Sequence, residues 1–135
     1  MASHSVRRRL AWMDTDAAGI WHYSTVIRLA EDAETELHRS LGIQHLTFGV
    51  SPRVRVEFDF ASPVAFDEEV DTTIAVIAIG RTSVTYGVDV RVGERVIATG
   101  SIKTVLIDKE SGRPVAVSEE LRVALGGENP SGLSD

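Results

Sequence analysis

Hydrophobic residues recur at three- and four-residue intervals between residues 24 and 41, and this spacing predicts one amphipathic helix of about 18 residues. Ser24 is expected to cap its first turn, and Gly42 is expected to end it in the left-handed conformation. Charged residues occupy the opposite face, and His38 falls on that polar side. The apolar stripe consists of Val26, Leu29, Ala30, Ala33, Leu37 and Leu41, and the polar face of Arg28, Glu31, Asp32, Glu34, Glu36 and Arg39.

After the helix, apolar and polar residues alternate, which predicts β-strands with one solvent-exposed face. Short turns separate these stretches, and that arrangement is typical of an antiparallel meander. The run from Ile74 to Ile79 is continuously apolar, so its strand should lie centrally in the sheet, and Gly100 suggests a bulge in the last strand. The predicted strands cover residues 54–60, 69–79, 84–92 and 96–107, with a weaker one at 5–12 and a short helix at 118–125.

The order of elements is therefore a strand, a long helix and four or five antiparallel strands, which defines an α+β fold. One amphipathic helix can cover one face of a curved sheet, and the other face then needs a second copy of the sheet or another partner. We expect an oligomer for this reason. At 135 residues the chain is long enough for a single domain with one core. The core should span about 5–108, and the Gly/Pro/Ser-rich residues 126–135 should form a flexible tail.

Composition narrows the possible partners. The formal net charge is −6 and the isoelectric point about 5.2, whereas nucleic-acid-binding modules are usually basic. The run Arg7–Arg9 is expected to mark a solvated edge strand, with phosphate binding as the alternative. The chain contains no cysteine, which excludes disulfides and thiolate chemistry and fits the cytoplasm. No apolar run approaches the ~20 residues that a membrane-spanning helix needs.

The most informative stretch is Asp14–Tyr23, which precedes the helix and reads DTDAAGIWHY. The N–H groups at a helix start lack internal partners and carry partial positive charge, so they can stabilise a carbonyl oxygen that becomes negative. A nearby carboxylate can act as nucleophile or as general base for water. The alternative is purely structural, since Asp and Gly are common turn formers. His22, between two aromatic residues, is also consistent with a packed side chain.

The same stretch, followed by the acidic helix and Leu41-Gly42, resembles the hotdog-fold acyl-CoA thioesterases of the 4-hydroxybenzoyl-CoA thioesterase type. The resemblance continues in residues 54–67, which look like that family's strand and Pro-Ala-type turn, and at Arg81–Val84, where the family often places basic and hydroxyl residues. It covers about Val6 to Asp108. It implies a hotdog fold, in which a curved antiparallel sheet wraps around one long helix, and a homo-oligomer that is a dimer or a dimer of dimers (a homotetramer).

Matched by position, Asp16 takes the place of the family's catalytic carboxylate, and Gly19 that of the glycine that lets the chain approach the thioester. Tyr23 falls where the family's helix begins, so its backbone N–H is the implied donor to the thioester carbonyl. Some relatives carry His at that position. Here His22 lies one residue earlier, where relatives usually have an aromatic residue, and it is a further candidate.

Arg81, Thr82 and Ser83 are candidates for holding the phosphates or the pantetheine arm of coenzyme A, with a polar strand start in solvent as the alternative. The implied reaction is hydrolysis of an acyl thioester of coenzyme A or of an acyl carrier protein, with no cofactor beyond the coenzyme A moiety of the substrate. No metal site is predicted, because Asp-x-Asp lacks further ligands at a suitable spacing. Two other functions stay open: an acyl-thioester hydratase or dehydratase that pairs Asp16 with His22, and a non-catalytic acyl-binding module.

Overall fold

The computed structural model describes residues 1–127, in which a long helix lies against one curved antiparallel sheet. The strands are β1 (Ser3–Arg9), β2 (Arg53–Phe60), β3 (Glu69–Ile79), β4 (Ser83–Val92) and β5 (Arg95–Val105), and the helices are α1 (Thr25–Leu41), α2 (Gln44–Thr47) and α3 (Glu119–Ala124). The strand order across the sheet is β1-β3-β4-β5-β2, and every neighbouring pair is antiparallel. The predicted α+β architecture is confirmed.

Helix α1 packs its apolar stripe against β1 and β3. Leu37 and the two alanines of the stripe are fully buried. Gly42 ends the helix with φ +68°, as predicted, because a left-handed residue there lets its N–H bond back to the last turn. The predicted Ser24 cap is wrong. The backbone of Ser24 is already helical (φ −69°, ψ −15°), and its hydroxyl lies 2.8 Å from Nδ1 of His22 instead.

Two residues that were assigned to the polar face of α1 are buried. Glu34 is 5% exposed and pairs with Arg53 at the start of β2, while His38 is 2% exposed between Thr47 and Tyr86. Their predicted solvent exposure is wrong. Glu34 and His38 are four residues apart and therefore lie on the same face of α1, and residues of β2, α2 and β4 cover that face. Burial raises the pKa of Glu34, against the opposing effect of Arg53. Burial, and secondly the charge of Arg53, lowers the pKa of His38 to about 4.

Strand β2 lies at one edge of the sheet, beside β5, and much of its apolar face is uncovered. Val56 is 42% exposed and Phe60 49% exposed. The predicted bulge at Gly100 is wrong, since Gly100 pairs in register with Phe58. A Cβ at this position would lie 2.1 Å from the carbonyl oxygen of Glu57, so the close approach of the strands requires glycine.

The Arg7–Arg9 run lies on β1, at the opposite edge of the sheet. Each arginine pairs with a carboxylate of a neighbouring segment, which agrees with a solvated edge strand. The pairs are Arg7–Asp71, Arg8–Asp32 and Arg9–Glu69.

Residues beyond β5 also contribute to the core. Val117, Leu121 and Leu125 are buried, and Ser118 caps α3 by accepting the Leu121 N–H at 3.1 Å. The predicted flexible tail, 126–135, lies outside the described residues apart from its first two glycines. Among residues 1–127, every helix is too short or too polar to cross a membrane.

Candidate active site

The residues before α1 fold back on themselves as a small hairpin. The His22 N–H donates to the Asp14 carbonyl at 2.8 Å, and the Asp16 N–H donates to the Ile20 carbonyl at 2.8 Å. The turn closes with a bond of 3.0 Å from the Gly19 N–H to the Asp16 carbonyl, and Gly19 has φ +81°, which favours glycine. Asp16 therefore sits at the exposed tip of this hairpin, which we define as residues 14–22.

The two carboxylates of the hairpin have different surroundings. Oδ1 of Asp16 accepts the Ala18 N–H at 2.8 Å, as expected of a turn-forming Asp, while within residues 1–127 its Oδ2 has no hydrogen-bond partner. Both oxygens of Asp14 are engaged: Oδ2 accepts the Ala11 N–H at 2.9 Å, and Oδ1 lies 3.2 Å from an Nη of Arg28. Of these two carboxylates, only that of Asp16 therefore keeps an oxygen without a hydrogen-bond partner among residues 1–127.

Tyr23 links the hairpin to the first turn of α1. Its backbone N–H has no acceptor among residues 1–127, whereas the N–H groups on either side donate to the chain. The Tyr23 ring is exposed and stacks on His22, with ring centroids 4.4 Å apart. Nδ1 of His22 accepts the Ser24 N–H at 3.2 Å, so a neutral imidazole carries its proton on Nε2. Nε2 is the one ring nitrogen of His22 left for a ligand.

Apolar side chains surround the end of the hairpin. An open cavity of about 340 Å³ is lined by Ile20, Trp21, Tyr23 and Phe60 together with residues 61–63. Trp21 is buried and meets Phe60 edge-to-face, with ring centroids 5.9 Å apart. Asp16 does not line this cavity. Its backbone N–H is hydrogen-bonded to the carbonyl of Ile20, and Ile20 does line the cavity.

The structure does not bring Arg81, Thr82 and Ser83 to the hairpin of the same chain. The hairpin pairs with Val64, just before β3, while Arg81 follows the other end of β3. The 11 residues of β3 separate the two places, a length of roughly 35 Å. The role of these three residues in binding coenzyme A stays a prediction.

Sequence reasoning missed two features, one at the hairpin and one further along α1. Arg28 contacts Asp14 through its guanidinium, although a charge on the polar side of an amphipathic helix gives no hint of that contact. A larger cavity of about 620 Å³ lies further along α1, where its lining includes the buried Glu34 and His38 with Phe48 and Arg53. The helical periodicity did not indicate the burial of two of its polar lining residues, Glu34 and His38. In the described part of the chain, no group of three or more His, Asp or Glu residues could hold a metal ion.

The model of the thioesterase-like superfamily matches residues 10–125. The chain belongs to this superfamily. The match contains the hairpin, α1 and the whole sheet except β1, and it confirms the predicted membership of the hotdog thioesterases and of the thioester hydrolases. The narrower 4-hydroxybenzoyl-CoA type stays a prediction.

Individual relatives agree with this assignment. A 1,4-dihydroxy-2-naphthoyl-CoA hydrolase of Synechococcus elongatus is 24% identical over an alignment of 117 residues, which covers 82% of this chain and 85% of that protein. The crystal structure of a 1,4-dihydroxy-2-naphthoyl-CoA thioesterase from Synechocystis has a TM-score of 0.82 at 15% identity, covering 91% of this chain and 95% of the other. The structure of a predicted thioesterase from Bacillus stearothermophilus has a TM-score of 0.84 at 24% identity, with coverages of 92% and 94%. These likenesses confirm the hotdog fold.

Proposed function

We propose that this protein is an acyl-CoA thioesterase in which Asp16 acts as nucleophile or as general base for water. The observation that carries the proposal is that Asp16, at the tip of the hairpin, keeps one carboxylate oxygen without a partner, and that Tyr23, directly after the hairpin, keeps a backbone N–H without an acceptor among residues 1–127. Membership of the thioesterase-like superfamily supports the reaction class. The relative named as a coenzyme A thioester hydrolase supports coenzyme A as the thiol, with an acyl carrier protein as the alternative.

The chemistry follows from these two groups. Attack on the thioester carbon makes its carbonyl oxygen negative, and the Tyr23 N–H at the positive end of α1 would stabilise that charge. The C–S bond then breaks and the thiolate leaves; the proton that it takes up comes from the water that the hydrolysis consumes. If Asp16 attacks, water subsequently hydrolyses the mixed anhydride; if Asp16 activates water, the acid forms directly. No resident cofactor is required in either route. His22 has only its Nε2 left to contact a ligand, and we assign His22 no step in the reaction.

The apolar cavity beside Tyr23 is the proposed site of the acyl group. Ile20 and Phe60 line it with exposed hydrocarbon surface, which an acyl chain or ring would remove from water. The cavity is open to solvent on one chain, so a second copy would have to complete its wall. The acyl group itself is not specified by these residues.

We propose further that the protein forms a homodimer through β2, with a dimer of dimers as the larger assembly. The uncovered apolar face of β2, at an unpaired sheet edge, is a surface that a second β2 can cover. Two-fold symmetry makes the two β2 strands antiparallel. The end of the sheet that carries Arg81–Ser83 in the second copy then lies on the same side as Asp16 of the first. This arrangement would let these three residues hold coenzyme A across the interface.

A thiol-release screen with short, long and aromatic acyl-CoA substrates tests the reaction. Asp16→Asn should reduce kcat at least ~100-fold without unfolding the protein. Asp108→Asn is a matched control, because Asp108 is also an exposed turn residue whose carboxylate accepts a backbone N–H, at 2.8 Å from Ser111. It should retain wild-type turnover. Full activity of Asp16→Asn would remove Asp16 from the mechanism.

The same assay separates the alternatives. A hydratase would add water to an enoyl-CoA without releasing thiol, and that result would replace the thioesterase assignment. A non-catalytic module would bind acyl-CoA with no turnover and with no effect of Asp16→Asn. We propose a cytoplasmic location for the enzyme, which agrees with a chain that contains no cysteine.

A further inference from the structure

Arg28 joins the catalytic hairpin to the first turns of α1. One Nη of Arg28 lies 3.2 Å from Oδ1 of Asp14 and donates to Oγ1 of Thr25 at 2.9 Å. Oγ1 of Thr25 in turn donates to the Asp14 carbonyl at 2.9 Å. These three residues, the Arg28–Asp14–Thr25 cluster, therefore close a ring of contacts between hairpin and helix. Thr25 is buried, and the Asp14 side chain is only 14% exposed, so water competes little for the contacts of these two residues.

Asp14 is the residue through which the hairpin is held. Its carboxylate accepts the Ala11 N–H and faces Arg28, and its carbonyl accepts from both His22 and Thr25. Without Arg28, the Asp14 carboxylate would keep the Ala11 N–H as its one partner within residues 1–127. The register of the hairpin is set at this point, and Asp16 follows two residues later.

The geometry points to Arg28 as a positioning residue for the thioester hydrolysis proposed above, on which this inference rests. By fixing Asp14 to α1, Arg28 holds the hairpin at a defined distance from the helix start, so that the Asp16 carboxylate and the Tyr23 N–H can meet the same carbonyl group. Arg28 contacts neither of these two groups and acts through Asp14. Misplacement of a catalytic group by about 1 Å can cost on the order of 100-fold in rate.

The chain offers a matched control on the same helix. Arg8 of β1 pairs with Asp32 of α1 at 2.9 Å, and the Arg8 side chain is 51% exposed against 50% for Arg28. Both pairs tie α1 to a preceding segment, but only the Arg28 pair holds the hairpin. Removal of either arginine should change stability little, since exposed ion pairs contribute at most about 1 kcal/mol.

The test compares Arg28→Gln, Arg28→Lys, Asp14→Asn and Arg8→Gln in the thiol-release assay. Arg28→Gln should lower kcat and kcat/KM by the same factor, ~10- to 100-fold, because it disturbs the reacting geometry rather than substrate binding. Arg28→Lys keeps a positive charge and three donors and should give an intermediate kcat. The double variant Asp14→Asn/Arg28→Gln should lose no more than the worse single variant, since both changes break one contact. Arg8→Gln should keep wild-type kcat.

Amide hydrogen exchange gives a second readout that needs no turnover. Residues 14–22 should exchange faster in Arg28→Gln than in wild type and stay unchanged in Arg8→Gln. Wild-type kcat in Arg28→Gln, together with a large loss in Asp16→Asn, would overturn the positioning role and leave the proposed function intact. Unchanged exchange in residues 14–22 would overturn the positioning role whatever the activity. Wild-type activity of Asp16→Asn would instead reject the proposed function.

Discussion

Replacing Arg53 with Met should strongly destabilise the fold, because it leaves Glu34 as a buried charge without its partner. The Glu34 side chain is 6% exposed, and Arg53, at 29%, contacts both of its carboxylate oxygens. Breaking a buried ion pair on one side typically costs ~3–5 kcal/mol. Water reaches Arg53, so we expect the lower end, about 3 kcal/mol. For a chain of this length, that corresponds to a fall in Tm of roughly 10 °C.

The loss of stability in Arg53→Met should be larger at high pH than at low pH. Burial already raises the pKa of Glu34, and Arg53 is the main group that opposes this shift. In Arg53→Met the pKa of Glu34 rises further, so the folded state holds a proton that the unfolded state releases above about pH 4.5. Stability of the variant relative to wild type should therefore fall as pH rises through the raised folded-state pKa of Glu34 in wild type, and level off above the still higher folded-state pKa in the variant. Loss of the Arg53 charge also raises the pKa of His38, which acts in the same direction.

Denaturant unfolding of wild type and variants at pH 5 and pH 8 measures this effect. Arg55→Met is the matched control, since Arg55 lies on the same strand and pairs with Glu57 at 2.9 Å, but both side chains are well exposed. It should change the unfolding free energy by less than about 1 kcal/mol. Adding Glu34→Gln to Arg53→Met should remove most of the pH dependence. A loss in Arg53→Met no larger than in Arg55→Met, or equal at both pH values, would refute the reasoning.

Two further predictions concern the buried histidine and the exposed sheet edge. The pKa of His38 is about 4 in the folded protein, so as pH falls His38 takes up a proton in the unfolded protein before it does so in the folded one. Wild type should therefore lose about 3 kcal/mol of stability between pH 6.5 and 4. In a pH series of denaturant melts, His38→Gln should lack this part of the loss. Val56→Glu places a charge on the uncovered face of β2 and should shift the protein to a monomer in sedimentation experiments, whereas an unchanged mass would argue against assembly through this edge.

The regular elements could be predicted from the sequence because their periodicities are strong and local. The stripe from Val26 to Leu41 fixed α1 nearly to the residue, and alternation located β2, β3, β4 and β5. The Asp14–Tyr23 stretch was recognisable because Asp and Gly at these spacings form a turn directly before an amphipathic helix. The hairpin contacts that the structure shows there are short-range in sequence, so local residue types carry most of the information.

Apart from the Ser24 cap, whose hydroxyl contacts the nearby His22, the errors come from contacts between residues that are distant in the chain. Glu34 and His38 look solvent-exposed on a helical wheel, and only the packing of Arg53 and Tyr86 against them makes their burial possible. Gly100 looks like a bulge until the carbonyl of Glu57 shows that the neighbouring strand leaves no room for a Cβ. The periodicity of one helix or strand does not indicate which side chains of another element will pack against it.

The different roles proposed for Asp14 and Asp16 show the same limit of sequence-based prediction at the candidate site. Both are turn-forming acids two positions apart, and their types alone do not distinguish a structural carboxylate from a reactive one. The two residues differ in their partners: Asp14 has a donor at each oxygen, from Ala11 and Arg28, while Asp16 has one donor for its two oxygens among residues 1–127, which supports the reactive role proposed for Asp16. A carboxylate that is saturated with donors is a weak nucleophile and a poor base, because a proton or an acyl carbon must displace an existing bond. The partner that saturates Asp14 lies 14 residues away on α1, so the assignment of roles within the hairpin depends on the helix that follows it.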